Sequence, residues 1–247
     1  MKFPETFRGV NCEEVLRRLE AGESPPPSLI IPTTKYTQDI LKNSIILPSH
    51  THGNYTYPDL LVDMQRSHGD TTWHQSHEAL HQEQAFMLPP RLYADMINHL
   101  RSGRVHDGTG QPLPATTIDK LLDDIYTPRD PWRGEWLDAL FHNKNKDWLI
   151  TYHQIQPDSS LKDVTEPLEV PLMKSKYISL NDWLDRATIH GLPSPDSKKG
   201  DLHYWHPNNG AVVRFGAYAV RADLFCSGGP QVSVSALGVR PARVRNV

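Results

Sequence analysis

Apolar side chains recur at helical spacing in three segments in the middle of the chain. In the first of them, Trp73, His77, Leu80 and Gln84 fall on one stripe, which is typical of an amphipathic helix. The predicted helices are residues 72–87, ended by Pro89 and Pro90, residues 91–101, ended by Gly103, and residues 117–126, capped by Thr116 or Thr117.

Later segments have the composition of strands and loops. Residues 148–155 (WLITYHQI) are rich in β-branched and aromatic residues and predict a strand. Ser179 is expected to cap a short helix. Residues 191–210 have the composition of a loop, in which Tyr204 and Trp205 are expected to close the edge of the core.

The start of the chain has a different pattern from the rest. Residues 12–21 predict a short helix that Gly22 ends, and the consecutive prolines 25–27 predict a stiff connector. We therefore expect an N-terminal arm or adapter over residues 1–50. Residues 51–247 would then form one domain, which is a length that a large domain can fill.

Composition narrows the class of protein. Of the 247 residues 38% are hydrophobic, and 21 Pro and 15 Gly favour a loop-rich fold with short elements. The 26 Lys and Arg against 29 Asp and Glu give a net charge of −3, which does not favour nucleic acid or an anionic membrane as a partner. Cys12 and Cys226 lie far apart in the chain and favour free thiols. Apolar runs are too short for a signal peptide or a membrane span, so we expect a soluble protein, cytoplasmic or part of a virion.

A short motif in the first predicted helix suggests zinc chemistry. His77-Glu78-Ala79-Leu80-His81 matches H-E-x-x-H, in which two imidazoles share a helix face and the glutamate can polarise a zinc-bound water. The third ligand would come from a distant acid such as Glu135. A zinc-dependent hydrolase is therefore the alternative function. The competing interpretation is an amphipathic helix with partly exposed His74, His77 and His81, and on it we predict no metal site.

Other motifs carry less information. His50 and His52 form an H-x-H pair, but nothing specifies a third ligand and a polar loop explains the pair equally well. Trp132 and Trp136, in a segment flanked by Gly and Pro, are expected to pack in the core, because no basic run accompanies them.

The last segment of the chain departs from the rest in composition and pattern. Residues 211–245 contain no Lys, Glu, Met or Trp, and their side chains alternate as on the two faces of a strand. One set is small or apolar enough to pack inward: Ala217, Ala219, Leu224, Cys226, Ser233 and Ser235. The opposite set has no consistent polarity, which indicates a surface whose identity the fold does not dictate: Gly216, Tyr218, Val220, Asp223, Phe225, Ser227, Gly229, Val232 and Val234.

This segment, GAVVRFGAYAVRADLFCSGGPQVSVSALGVRPAR, resembles the variable repeat of the proteins that diversity-generating retroelements diversify, in the subgroup of archaea and viruses that ends in ALGVR. Segments upstream are similar to those that precede the repeat, among them HEALHQEQAFMLPPRLYADMINHLRSG, PWRGEWLDALF and ISLNDWLDRAT. In that family, adenines of a template are randomised, so an Asn codon becomes a set that excludes Lys, Glu, Gln, Met and Trp. The predicted variable positions obey this rule, and Gln231 lies off the alternating register as scaffold.

The resemblance implies a fold and a function. We expect an α+β domain like C-type lectins and the formylglycine-generating enzyme, with a short twisted antiparallel sheet, flanking helices and much irregular loop. That enzyme works through paired cysteines near its C-terminus, whereas Cys226 has no nearby partner, so we expect no catalytic residues, cofactor or metal. The expected function is binding of an unknown ligand, a protein or another macromolecule, on a solvent-facing patch.

The resemblance also implies a role for each variable side chain. Tyr218 and Phe225 would supply aromatic area, Val220, Val232 and Val234 apolar contacts, Asp223 a charge and Ser227 a hydrogen bond, while Gly216, Gly228 and Gly229 would flatten the patch and Trp205 would border it. Two further interpretations stay open. In the first, residues 211–245 are an ordinary pair of core strands with a turn at 228–230. In the second, the protein is a structural component of a virion or a cell surface, and the place where residues 1–50 attach would distinguish this role.

Overall fold

A long strand, β8 (Arg133–Lys144), runs through the centre of the largest sheet. The computed structural model describes residues 36–144, 147–168 and 172–245, together with the strand residues 6–7 and 10–11. Within β8, residues 134–139 are all buried, which requires packing on both faces of the strand.

Short helices and strands surround this strand. The helices are α1 (Gln38–Lys42), α2 (Trp73–Gln82), α3 (Pro90–Arg101), α4 (Ala115–Tyr126) and α5 (Leu180–Asp185). The strands before β8 are β1 (Thr6–Phe7), β2 (Val10–Asn11), β3 (Ser44–Leu47), β4 (His50–His52), β5 (Tyr55–Tyr57), β6 (Leu60–Asp63) and β7 (Phe86–Met87). The strands after it are β9 (Asp147–Ile155), β10 (Leu161–Pro167), β11 (Lys176–Ile178), β12 (Leu202–Trp205), β13 (Val212–Ala217), β14 (Ala222–Gly228), β15 (Leu237–Gly238) and β16 (Pro241–Val244).

The strands form a large mixed sheet, a smaller antiparallel sheet, and two separate antiparallel pairs, β1 with β2 and β4 with β5. The large sheet has the order β10-β9-β8-β13-β14-β12-β11, and β15 pairs with β8 off this path. Its pairs are antiparallel except β12 with β14 and β15 with β8. The smaller sheet has the order β3-β6-β16-β7. Mixed helices and sheets confirm the α+β class.

Two hydrophobic clusters pack around the large sheet. In the main cluster, Phe215 of β13 lies between Tyr93 of α3 and Trp183 of α5, with ring centroids 5.6 and 5.8 Å away. In the second cluster, Trp73 of α2 packs with Trp136 of β8, and its indole N–H donates to the carbonyl of Leu137 at 2.9 Å. The sheet is therefore covered on one side by α3 and α5 and on the other by α2.

The predicted helices are present, but their ends differ. The first helix ends at Gln82 rather than residue 87, because Gln84 takes a φ of +55° and the chain then enters β7. Pro90 opens α3 instead of ending the previous helix, since a proline fits the first turn, where its missing N–H is not needed. Helix α4 begins at Ala115, so the predicted caps Thr116 and Thr117 lie inside it.

The strand predicted over residues 148–155 is present as β9, and strands β13 and β14 lie within residues 211–245, but two other strands were missed. The segment of Trp132 and Trp136 leads into β8, and the predicted loop 191–210 contains β12. In residues 211–245 the hairpin turn lies at 218–221, where the N–H of Tyr218 donates to the carbonyl of Arg221 at 2.8 Å. The alternative turn at 228–230 is therefore wrong as the link between two paired strands.

The division at residue 50 does not match the packing. Strand β3 lies before that point, yet it pairs with β6 and buries Ile45 and Leu47 in the main core. The packed part of the chain therefore includes residues that were assigned to the arm. The predicted helix at 12–21 and Cys12 lie outside the described residues.

A buried ion pair joins the end of the chain to β8. Glu135 and Arg240 are each 3% exposed, and their side chains meet through two hydrogen bonds of 2.6 and 3.1 Å. The same guanidinium donates to the backbone carbonyls of Asp63 and Met64. The carboxylate of Glu135 is thus paired with Arg240, which corrects the assignment of Glu135 as a possible third zinc ligand.

Replacing Arg240 tests how much the fold depends on this pair. In Arg240→Met the carboxylate of Glu135 stays buried without its cation, so we expect the free energy of unfolding to fall by about 3–5 kcal/mol in urea titrations. The double variant Glu135→Leu with Arg240→Met removes both charges and should be more stable than Arg240→Met alone. Equal or lower stability of the double variant would contradict this account.

Candidate ligand-binding face

One face of the β12, β13 and β14 strands carries partly exposed aromatic and charged side chains. Strand β14 pairs Phe225 with Trp205 and with Arg214, and pairs Asp223 with His203. Leu224, the residue between them, points into the main core and is fully buried. We call this opposite side the aromatic face; it consists of Trp132, Tyr177, His203, Trp205, Arg214, Tyr218, Arg221, Asp223 and Phe225.

Rings and a guanidinium follow one another across this face. The rings of Trp205 and Phe225 have centroids 5.1 Å apart. Arg214 places its guanidinium carbon 4.3 Å from the ring centroid of Phe225 and 5.9 Å from that of Trp132. Trp132 in turn stacks on Tyr218 at 5.0 Å. The cation of Arg214 thus bridges two aromatic pairs, an arrangement that stabilises their relative positions.

Asp223 holds two of the larger side chains in place. Its Oδ2 accepts a hydrogen bond from the indole N–H of Trp205 at 3.0 Å, and its Oδ1 accepts one from Nε of Arg221 at 2.7 Å. The hydrogen bond that Arg221 donates to Asp223 raises the pKa of Arg221. Because Asp223 is only 5% exposed, its carboxylate lies under the face and does not present an open charge, contrary to the role expected from the sequence.

Other predicted contact residues lie beside the face, in the turn and in the loop after β14. Val220 stands in the hairpin turn and is 80% exposed. Ser227 is partly exposed on β14, and Gly229 is exposed just after it. Val234 is exposed in the loop of residues 229–236, which the structure does not assign to a strand.

The loop of residues 229–236 is attached to the segment that begins α2. The N–H of Trp73 donates to the carbonyl of Pro230 at 3.1 Å, and the hydroxyl of Ser233 donates to the carbonyl of Asp70 at 2.6 Å. Val232 packs against the second hydrophobic cluster. Val232 therefore contributes to packing as well as to the surface, while Val234 is available for contact.

Two of the predicted contact glycines are packing positions. Both Gly216 and Gly228 are buried. A Cβ at Gly216 would lie 3.0 Å from the Tyr218 ring, and one at Gly228 would lie 2.9 Å from the carbonyl oxygen of Val212. These glycines allow close approach of the backbone, so their assignment as ligand contacts is corrected.

The set predicted to pack inward is only partly buried. Ala217, Leu224 and Cys226 are buried in the strands, as expected. The remaining members, Ala219, Ser233 and Ser235, are exposed. They lie in the turn and in the loop, where alternation along a strand no longer decides which way a side chain points.

Several residues of the aromatic face were missed from the sequence. Arg214 lies two residues before Gly216 on β13, and alternate residues of a strand share a face, so the alternation was sufficient to predict it. Tyr177 and His203 come from strands β11 and β12, whose position beside β14 depends on tertiary structure. Trp205, expected to border the patch, lies against Phe225, while Tyr204 is buried in the core.

The two histidine motifs form contacts other than those predicted. His77 points at β8, with Nε2 3.3 Å from Oδ1 of Asp138, whereas Glu78 and His81 are exposed. His52 lies 2.7 Å from a carboxylate oxygen of Asp95, at the wall of a cleft of about 650 Å³. Burial lowers the pKa of His52 despite that carboxylate.

Comparisons of the chain with protein-family models, with curated proteins and with solved structures gave no match. In the described part of the chain, none of the helices has the length and apolar character needed to cross a membrane. The function therefore has to be argued from the side chains of the face and from their supports.

Alanine substitutions at the adjacent Gly228 and Gly229 distinguish a glycine that is needed for packing from one that lies on the surface. Gly228→Ala forces a shift against the backbone of Val212, so we expect it to lower the free energy of unfolding by about 1–3 kcal/mol. At Gly229 the nearest atom to a new Cβ is Cγ2 of Val232 at 3.6 Å, an ordinary contact. Gly229→Ala should therefore change that free energy by less than about 0.5 kcal/mol. Equal effects of the two substitutions in urea denaturation would refute the distinction.

Proposed function

We propose that this chain is a non-catalytic ligand-binding display protein. Its binding surface is the aromatic face together with the hairpin turn and the loop of residues 229–236, and a retroelement diversifies the variable positions within it. The domain is of the C-type-lectin-like kind related to the formylglycine-generating enzyme. The target is a protein or another macromolecule.

The main support for this proposal is the position of residues 211–245, the segment of restricted composition. Residues 211–245 supply Arg214, Tyr218, Asp223 and Phe225 to one connected face, and Val220 and Val234 to exposed positions next to it. An ordinary pair of core strands explains the buried alternate residues, but it does not account for a partly exposed row of rings on the other side.

The chemistry of the face suits binding. Trp, Tyr and Arg are the residue types that contribute most to the affinity of protein interfaces, and the face contains all three. Asp223 and Arg214 hold the larger side chains in place through hydrogen bonds and ring contacts, so little conformational freedom is lost on binding. A row of side chains along a sheet offers a broad surface, which favours a macromolecular partner over a small molecule.

The zinc-dependent hydrolase remains the alternative proposal, and the geometry favours it less. It requires His77 and His81 to share one ion and Glu78 to act on a bound water. His77 instead faces Asp138 and His153, Glu78 and His81 are exposed, and Glu135 is bound to Arg240. These positions support binding rather than hydrolysis as the function.

A library of variants tests the display function directly. Tyr218, Val220, Phe225, Ser227, Gly229 and Val234 are randomised on phage and selected against a folded protein such as lysozyme. We expect saturable binders to be enriched, because these side chains form a surface that the core does not require. The comparison library randomises an exposed surface of α4: Ala115, Thr116, Asp119, Lys120 and Asp123. Enrichment from both libraries alike, or from neither, would contradict the proposal.

The flanking DNA tests the retroelement part of the proposal. We expect a near-identical template repeat that differs from the codons of residues 211–245 at adenines, beside a gene for a reverse transcriptase. Sequencing of the locus decides this point. A locus that has no such repeat would overturn diversification and leave the binding surface to be judged by the library.

A further inference from the structure

A cluster of His77, Asp138 and His153 lies between helix α2 and the strand pair β8 and β9. Each residue comes from a different element, and one possible ligand atom from each lies within 4.8 Å of the others. Their side chains are 10%, 1% and 7% exposed. From this cluster we infer a binding site for a divalent transition-metal ion, with Zn²⁺ as the best match to two imidazoles and a carboxylate.

The carboxylate of Asp138 supplies the strongest evidence. Its Oδ2 accepts a hydrogen bond of 2.7 Å from the peptide N–H of His153. Its Oδ1 is buried and lies 3.3 Å from Nε2 of His77, which is too long for a strong hydrogen bond. A buried carboxylate oxygen with so weak a partner is unfavourable, and a cation bound between the two atoms removes that penalty.

The spacing around this oxygen fits a metal ion. Oδ1 of Asp138 and Nε2 of His77 are 3.3 Å apart. Two ligand atoms that each lie about 2.0 Å from a tetrahedral zinc are about 3.3 Å from one another. The pair is therefore at the separation that an ion between the two atoms requires.

Asp163 supplies the support that a histidine ligand commonly has. Its Oδ1 lies 2.9 Å from Nε2 of His153, and when it accepts the proton on that nitrogen, Nδ1 keeps the lone pair that a metal ion needs. Nδ1 lies 2.7 Å from Oδ2 of Asp138, a distance at which a proton lies between the two atoms in the chain without metal. In our proposal the ion displaces that proton; the competing explanation is that His153 keeps both of its protons.

The burial of the ligands assigns the ion a structural role. Side chains that are at most 10% exposed leave a substrate little access to the ion. The ion would instead hold α2 against β8 and β9, and α2 begins at Trp73, whose N–H anchors the loop of residues 229–236 at Pro230. This inference does not depend on the binding function proposed above, although the site would stabilise part of the surface.

Metal titration of the purified chain tests the site. Protein without a histidine tag is freed of metal with a chelator and titrated with Zn²⁺ by calorimetry and with Co²⁺ by visible absorption. We expect one ion per chain, Co²⁺ bands of a nitrogen and oxygen site, and a higher melting temperature with Zn²⁺. His77→Gln and His153→Gln should weaken binding by at least about 100-fold, and Asp163→Asn by about 10- to 100-fold.

His81→Ala is the matched control, because His81 lies one turn from His77 on the same helix but outside the cluster. It should keep the wild-type affinity for Zn²⁺. Circular dichroism checks that His77→Gln, at a partly exposed helix position, remains folded. The proposal is overturned if the wild-type chain binds no Zn²⁺ saturably, if His81→Ala loses binding, or if His77→Gln retains it. A doubly protonated His153 ring in NMR of the Zn²⁺-treated protein would equally overturn it in favour of the proton.

Discussion

The ion pair between Glu135 and Arg240 is buried where residues 237–244 meet the centre of the large sheet, and the position of the loop of residues 229–236 depends on it. Residues 134 and 135 of β8 pair with β13 on one side and with β15 on the other. The loop of residues 229–236 therefore runs from β14, which lies beyond β13, to β15, which pairs directly with β8. Gly238 lets β15 approach closely, since a Cβ there would lie 2.6 Å from the carbonyl oxygen of Ser67. Within the ALGVR sequence, Gly238 and Arg240 therefore attach the chain that follows the loop to its neighbours, and they are not part of the surface of the loop.

Residues 211–245 contribute both to the core and to the exposed surface. On β14, Leu224 and Cys226 are fully buried, while Phe225 between them is partly exposed. The free energy of folding is thus concentrated in residues that face the core, and side chains on the opposite face change the surface with less effect on packing. Gly216 and Gly228 are exceptions, because a side chain at either position meets backbone or a packed ring. We therefore expect substitutions to be tolerated where there is open space around the backbone and to be destabilising where strands approach closely.

Periodicity predicted the amphipathic helices well, because one apolar stripe is visible without knowing what it packs against. Strand β8 escaped prediction because it is buried on both faces, so GEWLDALF shows no alternation of apolar and polar residues. Conversely, Val232 and Val234 alternate with serines but lie in a loop, since hydrogen bonds to the segment before α2 determine its path. Residues 211–245 stood out by their composition alone. The surroundings of Asp223 and His77 could not be predicted, because Trp205, Arg221, Asp138 and His153 reach them only through tertiary structure.

The position of Asp223 has a consequence for how such a surface changes with sequence. Val220 and Val234 are exposed, so a substitution there alters one contact. Asp223 instead accepts hydrogen bonds from Trp205 and Arg221, so a substitution there releases both side chains. Substitutions at residues that share partners in this way have non-additive effects, whereas those at distant exposed residues combine nearly additively. The effect of several substitutions on this face therefore depends less on how many positions change than on how many of them also hold a neighbouring ring or guanidinium in place.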